Sequence, residues 1–276
     1  MSGDGGRRDG YAMLGILGVA VLAYGSALFG HMVYDDLHSV RDNPALRSLT
    51  SIPRFFWDVD AFSSIQVRMY RPILLLTFAI DWFLGQGSAW VFKSTNVLLH
   101  ATSALLVFSI ARKFSISRRA AWIAAAMFAA HPLASEAVNM ISSRSDVLAA
   151  CGVLLGVRAY ISWQDGSRFA WIAVAVGALV ACGSKATGVM LAPMCVVLEI
   201  VRPGRVDWRT RSVRQLPVLL VTIAYLVARR ELFGVATARA PILTGGHDVL
   251  NGAGRDLVTQ ACVMSNVLPR FVVQSF

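Results

Sequence analysis

The chain has 276 residues, 56% of them hydrophobic and 15% charged, and a formal net charge of +10. Soluble domains carry about 25% charged residues, so this composition excludes an ordinary soluble enzyme and requires lipid to cover part of the surface. The positive charge lies mainly between apolar segments, where Arg orients helices and meets anionic headgroups, so it does not point to nucleic acid.

Residues 11–33 contain no charge and are long enough to cross a bilayer core of about 30 Å. Arg7 and Arg8 precede them and favour a cytoplasmic N-terminus. A cleaved signal peptide has a shorter apolar region of about 7–15 residues, so this run reads as an uncleaved first helix. Further apolar segments follow at 89–111, 120–134, 147–162, 169–183, 188–201, 216–228 and 257–276. Residues 72–85, with Asp81 near their end, make only about two-thirds of a span.

Charge counting places that short segment. If it does not cross, stretches 1–10, 112–119, 163–168 and 202–215 fall inside, with 12 Lys/Arg in 38 residues. The outer stretches then hold 11 Lys/Arg in 102 residues. That bias follows the positive-inside rule, so 72–85 is expected to be an interfacial or re-entrant helix in the first outer loop. Arg229 and Arg230, just past the seventh span, fit this arrangement poorly. The fold class is thus all-α, a polytopic membrane bundle of about eight apolar segments. With no linker, low-complexity tract or internal repeat, 1–276 reads as one domain. Cys151, Cys182 and Cys195 fall inside apolar segments and no C-x-x-C pair exists, so the cysteines read as small buried hydrophobes.

In this topology nearly every polar motif lands on the outer face. Tyr34-Asp35-Asp36 follows the first helix. A carboxylate at headgroup level can take a proton from an attacking hydroxyl or hold a divalent cation, or it can simply be a solvated helix end. Arg71, before Pro72, can bind phosphate or anchor a helix to lipid. Asn96 and His100 share a helix face, a pairing best explained by interhelical hydrogen bonds. Pro132 breaks the helix after His131, and Glu136, Arg144 and Asp146 follow as a pocket wall or a polar tie between helices. Lys185 interrupts two apolar runs, where it can snorkel or neutralise an anionic leaving group. No phosphate-binding G-x-x-x-x-G-K-[ST] loop, dinucleotide motif or hydrolase elbow occurs.

Taken in order, Tyr34-Asp35-Asp36, Tyr70-Arg71-Pro72, Asn96-x-x-Leu99-His100, His131-Pro132-x-x-x-Glu136-Ala137-Val138, Ser143-Arg144-Ser145-Asp146 and Ser184-Lys185 resemble a known pattern. It is that of the transmembrane and tetratricopeptide-repeat O-mannosyltransferases and their bacterial relatives, within the GT-C class of membrane glycosyltransferases. The resemblance covers about residues 30–200. It implies a GT-C-like bundle with its active site on the outer or luminal face; the Arg- and Ala-rich composition points to a bacterial inner membrane, and so to the periplasm. It also implies a polyprenyl-phosphate sugar donor, mannose as the sugar, a Ser/Thr hydroxyl acceptor on a protein or glycan, and inversion at the anomeric carbon.

Carried onto this chain, the resemblance makes Asp35 or Asp36 the catalytic carboxylate, and either the ligand of a divalent cation if one is used. Arg71, Arg144 and Lys185 become candidates for the donor phosphate, with Tyr34, His100, His131, Glu136 and Asp146 lining the pocket. Family members usually have Glu after the Ser-Lys pair, where this chain has Ala186. They also carry more spans and commonly a helical-repeat tail, so the resemblance implies a shortened C-terminus. Two readings without chemistry remain open: a polyprenyl-phosphate-binding transporter and a membrane scaffold.

Overall fold

The computed structural model describes residues 3–65, 67–202 and 207–233. The last expected apolar segment, 257–276, lies outside the described residues, as does the full extent of a single 1–276 domain. Among the described residues every regular element is helical, so the all-α reading holds.

The first helix, α1 (Gly3–Tyr24), starts earlier than its uncharged core and ends in a 3-10 turn, Gly25–Phe29. The first loop is a chain of short turns from Leu37 to Phe62. Helix α2 (Pro72–Gly85) follows, with Pro72 at its first position, where a missing N–H costs nothing. It stops at Gln86, whose φ of 48° is left-handed. Helix α3 (Ala89–Lys113) is followed by α4 (Arg118–Ala130), which Ser117 caps by accepting from the Ala120 amide. Pro132 then ends α4, because the residue before a proline avoids helical ψ, and His131 is extended at 126°. Residues Pro132–Asn139, including the short α5 (Ser135–Asn139), leave at 44° to α4. Helices α6 (Arg144–Gln164), α7 (Ala170–Ser184), α8 (Leu191–Val201) and α9 (Trp208–Phe233) complete the described chain.

Four of these helices are long and apolar enough to cross a membrane, or five if α4 and the bent stretch after it form one span. Helices α2, α7 and α8 are apolar but shorter. Among the seven expected segments that lie in the described residues, length therefore admits four or five as spans. The expected 216–228 segment belongs to a helix twice as long, because Arg and Thr residues at 209–214 continue the helix in place of a loop. Leu22, Ile200 and Leu220 are 87%, 70% and 65% exposed, and such apolar surface calls for lipid contact. The chain is an integral membrane protein.

The stretches that charge counting assigns to one side do meet at one end of the bundle. Asp9 pairs with Arg118 at 2.5 Å, and Asp165 receives both Lys113 at 2.8 Å and Arg202 at 3.1 Å. The helices are held by four packing centres, the smallest of them Tyr24, Val97, Val138 and Val147. Ile16 and Ala20 of α1 meet Ala101, Ala104 and Phe108 of α3 and Ala121, Ala125 and Ala129 of α4. The loop turns, through Val40, Leu46, Phe55 and Phe62, cover Leu74, Leu75 and Phe78 of α2. Tyr160 and Ile161 of α6 pack with Val174, Leu191, Leu198 and Val218 of α7, α8 and α9.

Helices α6 and α7 approach at backbone contact. A Cβ built on Gly177 would lie 2.6 Å from the Gly156 nitrogen and 2.7 Å from the Gly152 oxygen. Small residues permit such approaches in membranes, where packing and not water drives association. Gly177→Val is expected to destabilise the bundle by about 1–3 kcal/mol through forced backbone separation. Gly18→Val is the control, because nothing lies within 4 Å of a Cβ there. Thermal unfolding of both variants in detergent checks this, and equal melting temperatures would refute the close contact.

Candidate functional site at the start of helix α6

Residues 141–146 are the hub to which the first loop, α2, α3 and α7 all reach. At Tyr34 the backbone takes a φ of 49°, a left-handed conformation that costs a non-glycine residue roughly 1–2 kcal/mol. Tyr34 and Asp35 after this turn are exposed, whereas Asp36 is fully buried. The two acids therefore differ in kind. Asp36 accepts from the Ser142 amide at 2.7 Å and from the Val33 amide at 3.3 Å, tying the loop to the start of α6. Asp35 projects outward, 3.5 Å from His38 Nε2, while His38 Nδ1 lies 2.9 Å from Ser63 Oγ. Among the described residues no group of three or more His, Cys, Asp or Glu side chains converges. With the Asp36 oxygens already accepting from amides, the acid pair fits a divalent cation poorly.

Arg144 is wholly buried. Its Nη2 lies 2.5 Å from Asp81 Oδ2 and donates to the Phe92 carbonyl at 2.7 Å. Its Nε donates to Asn96 Oδ1 at 2.6 Å and its Nη1 to Thr77 Oγ1 at 3.1 Å. The guanidinium also sits 4.7 Å from the Phe78 ring centre. Every nitrogen that a phosphate would use is engaged by protein. Asn96 in turn donates to the Val138 and Met140 carbonyls, so this network joins α2, α3, α6 and the segment after α5.

Arg71, Asp146 and Lys185 lie beside this network and nearer the surface. Arg71 donates to Ser145 Oγ at 3.2 Å, and burial pushes its guanidinium below its usual pKa while Asp146 acts the other way. Lys185 forms an ion pair with the exposed Asp146. Helix α9 adds two residues that the motifs did not flag. Tyr225 stacks on Tyr70 with ring centres 5.8 Å apart, and Arg229, one turn later, interacts with Tyr225 and with Arg71. The sequence signal for Arg229 is its poor fit to the charge rule.

Other expected pocket residues sit apart from this hub. His100 is buried, with Nε2 3.1 Å from the Ala129 carbonyl and its ring between Tyr24 and Phe128, so it ties α1, α3 and α4 as its helix position implied. His131 is exposed and its Nδ1 accepts from the Leu133 amide, capping the turn after α4. Glu136 on α5 is exposed. Lys93, unmarked in the motifs, is buried and donates to the Asn139 carbonyl at 3.1 Å. A cavity of about 520 Å³ lies not at the hub but in the first loop, lined by Asp42, Asp58 and Asp60 among others. Those three acids are paired with Arg41, Arg54 and Arg68, which leaves little net charge there.

The described residues define a helical integral membrane protein in which polar residues of the first loop, α2, α3, α7 and α9 gather at the start of α6. The chain is 30% identical over 222 residues to "Protein O-mannosyl-transferase Tmtc2" of Drosophila melanogaster, covering 75% of this chain and 24% of that protein. It is 33% identical over 155 residues to "Protein O-mannosyl-transferase TMTC1" of Mus musculus, covering 54% and 16%. It is 28% identical over 222 residues to "Protein O-mannosyl-transferase TMTC4" of Homo sapiens, covering 71% and 30%. No family model matches the chain, and no solved structure does. The chain is a relative of the TMTC-type protein O-mannosyl-transferases, matching less than a third of the length of each of these relatives.

Proposed function

We propose that this chain is the membrane part of a GT-C-type glycosyltransferase. In this reading it moves a sugar, mannose by analogy with the relatives' names, from a polyprenyl-phosphate donor to a Ser or Thr hydroxyl with inversion. The observation that carries the reading is that one stretch at the start of α6 gathers both kinds of group: Ser142 holds Asp36, the chain neighbour of the exposed Asp35, while Ser145 and Asp146 meet Arg71 and Lys185. The basic bias of the opposite end supports an N-terminus in the cytoplasm and a reaction at the outer face, the periplasm if the membrane is a bacterial inner membrane.

Transfer needs a base and a cation. The acceptor oxygen attacks the anomeric carbon as its proton passes to Asp35. The bond from that carbon to the phosphate oxygen breaks, and the phosphate leaves with the electron pair. Fixed cations stabilise this leaving group without reorganising. Arg71 and Lys185 take that role in place of Arg144, whose donors the fold consumes. Releasing Lys185 from Asp146 to meet a phosphate exchanges one ion pair for another.

The test is transfer of radiolabelled sugar from polyprenyl-phosphate mannose to Ser/Thr peptides in membranes holding the chain. Arg71→Gln with Lys185→Gln is expected to lower kcat/KM by roughly 10–100-fold, the worth of a lost charge-assisted contact of about 1.5–3 kcal/mol. Unchanged transfer in that variant would overturn the phosphate assignment. A folded wild type that binds the donor lipid without transferring sugar would favour a binding protein instead.

A further inference from the structure

Three helices of the candidate site carry a second basic constellation at their opposite ends. A cavity of about 400 Å³ lies among Trp163 near the end of α6, Gly166 and Arg168 before α7, and Arg209, Thr210 and Arg214 in the first turns of α9. The hub described above uses the start of α6, the end of α7 and the last turns of α9. The cavity therefore lies at the other end of the bundle, where the basic stretches meet.

Its cations are available. Arg168 and Arg209 are exposed, and each guanidinium rests near the ring of a sequence neighbour, Phe169 at 4.4 Å and Trp208 at 5.7 Å. Among the described residues neither has an acidic partner. The acids nearby are committed elsewhere: Asp165 to Lys113 and Arg202, Asp207 to Thr210, and Glu199 to Tyr160 and Arg214. Arg214, 3.6 Å from Glu199, is the one lining cation that is partly neutralised.

The surroundings are apolar. Phe169, Trp171 and Trp208 are 61%, 45% and 72% exposed around this end, as expected of aromatic residues at a membrane interface. An occupant must therefore offer an anion to the arginines and accept apolar neighbours beside it.

We propose that this cavity binds the phosphate of an anionic glycerolipid headgroup, on the membrane face opposite the candidate transfer site. Two guanidinium forks match a phosphate group. Basic pockets between membrane helices select anionic headgroups on the same grounds. A free soluble phosphate would satisfy the arginines but leave the aromatic rim without a partner, so the lipid is the source the geometry favours. The site is independent of the transfer chemistry.

The test uses the whole chain purified in a neutral detergent, titrated with dioctanoyl-phosphatidylglycerol, dioctanoyl-phosphatidylcholine or inorganic phosphate and read by native mass spectrometry. The wild type is expected to bind the anionic phosphatidylglycerol at least about tenfold more tightly than either of the others. Arg168→Gln with Arg209→Gln should abolish that preference. The charge-matched control Arg7→Gln with Arg119→Gln, two exposed residues at the same end, should keep it. Equal binding of the two lipids, equal binding of inorganic phosphate, or an equal loss in the control would each overturn the proposal. Circular dichroism and melting of each variant separate loss of binding from loss of fold.

Discussion

Asp35→Asn is expected to reduce sugar transfer by roughly 10²–10⁴-fold, the usual contribution of a positioned general base, without lowering the melting temperature. The side chain is exposed and lies 3.5 Å from His38 Nε2, so its amide isostere leaves the packing intact. Asp36→Asn should behave differently. Its carboxylate accepts two backbone N–H groups in a fully buried position, and loss of the charge weakens both bonds. Asp36→Asn is expected to cost about 1–3 kcal/mol of stability, and any activity lost should track the folded fraction. Transfer measured per folded molecule in the two variants decides the matter. Full activity in Asp35→Asn, or a stable but inactive Asp36→Asn, would reverse the assignment of the base.

Arg144→Met should destabilise the protein by about 3–5 kcal/mol, the penalty for removing one member of a buried ion pair. Asp81 would be left charged and buried, and the Phe92 carbonyl, Asn96 and Thr77 would each lose a donor. Arg144→Met with Asp81→Asn should recover part of that loss, because the uncompensated charge is gone, though Asn96 remains unsatisfied. Chemical unfolding in detergent, followed by helix signal and by size-exclusion profile, measures both. If Arg144 instead contacted the donor, Arg144→Lys would leave stability untouched and raise the KM for the donor. That outcome would restore the phosphate role the motif implied.

Much of the fold was legible in the sequence because composition and hydrophobic run length are local quantities. The short α2, the break at Pro132 and the apolar helices from 89 onward follow from apolar runs, from proline's missing N–H and from the length a bilayer requires. Helix ends were less so. Helix α9 extends through Arg209–Arg214 because polar residues with good helix propensity prolong a helix at the membrane surface as readily as they form a loop. The count of spans also shifted, since short apolar helices such as α7 and α8 can be buried by neighbours as well as by lipid.

The sequence by itself determined an α-helical membrane protein, the family it is related to, and several of the polar residues that meet at the start of α6. Only the tertiary structure decided how each of them is placed. Adjacent Asp35 and Asp36 are equivalent in sequence, but a left-handed turn at Tyr34 leaves one in the open and ties the other to Ser142. Arg71 and Arg144 are both membrane-edge arginines in sequence. Asp81, Asn96, Thr77 and Phe92 converge on Arg144 from two other helices, whereas Arg71 remains near the surface beside Asp146 and Arg229. The physical reason is that burial and hydrogen-bond satisfaction are sums over neighbours distant in the chain. A run of residues fixes its own helix, but not which helices will enclose its charges.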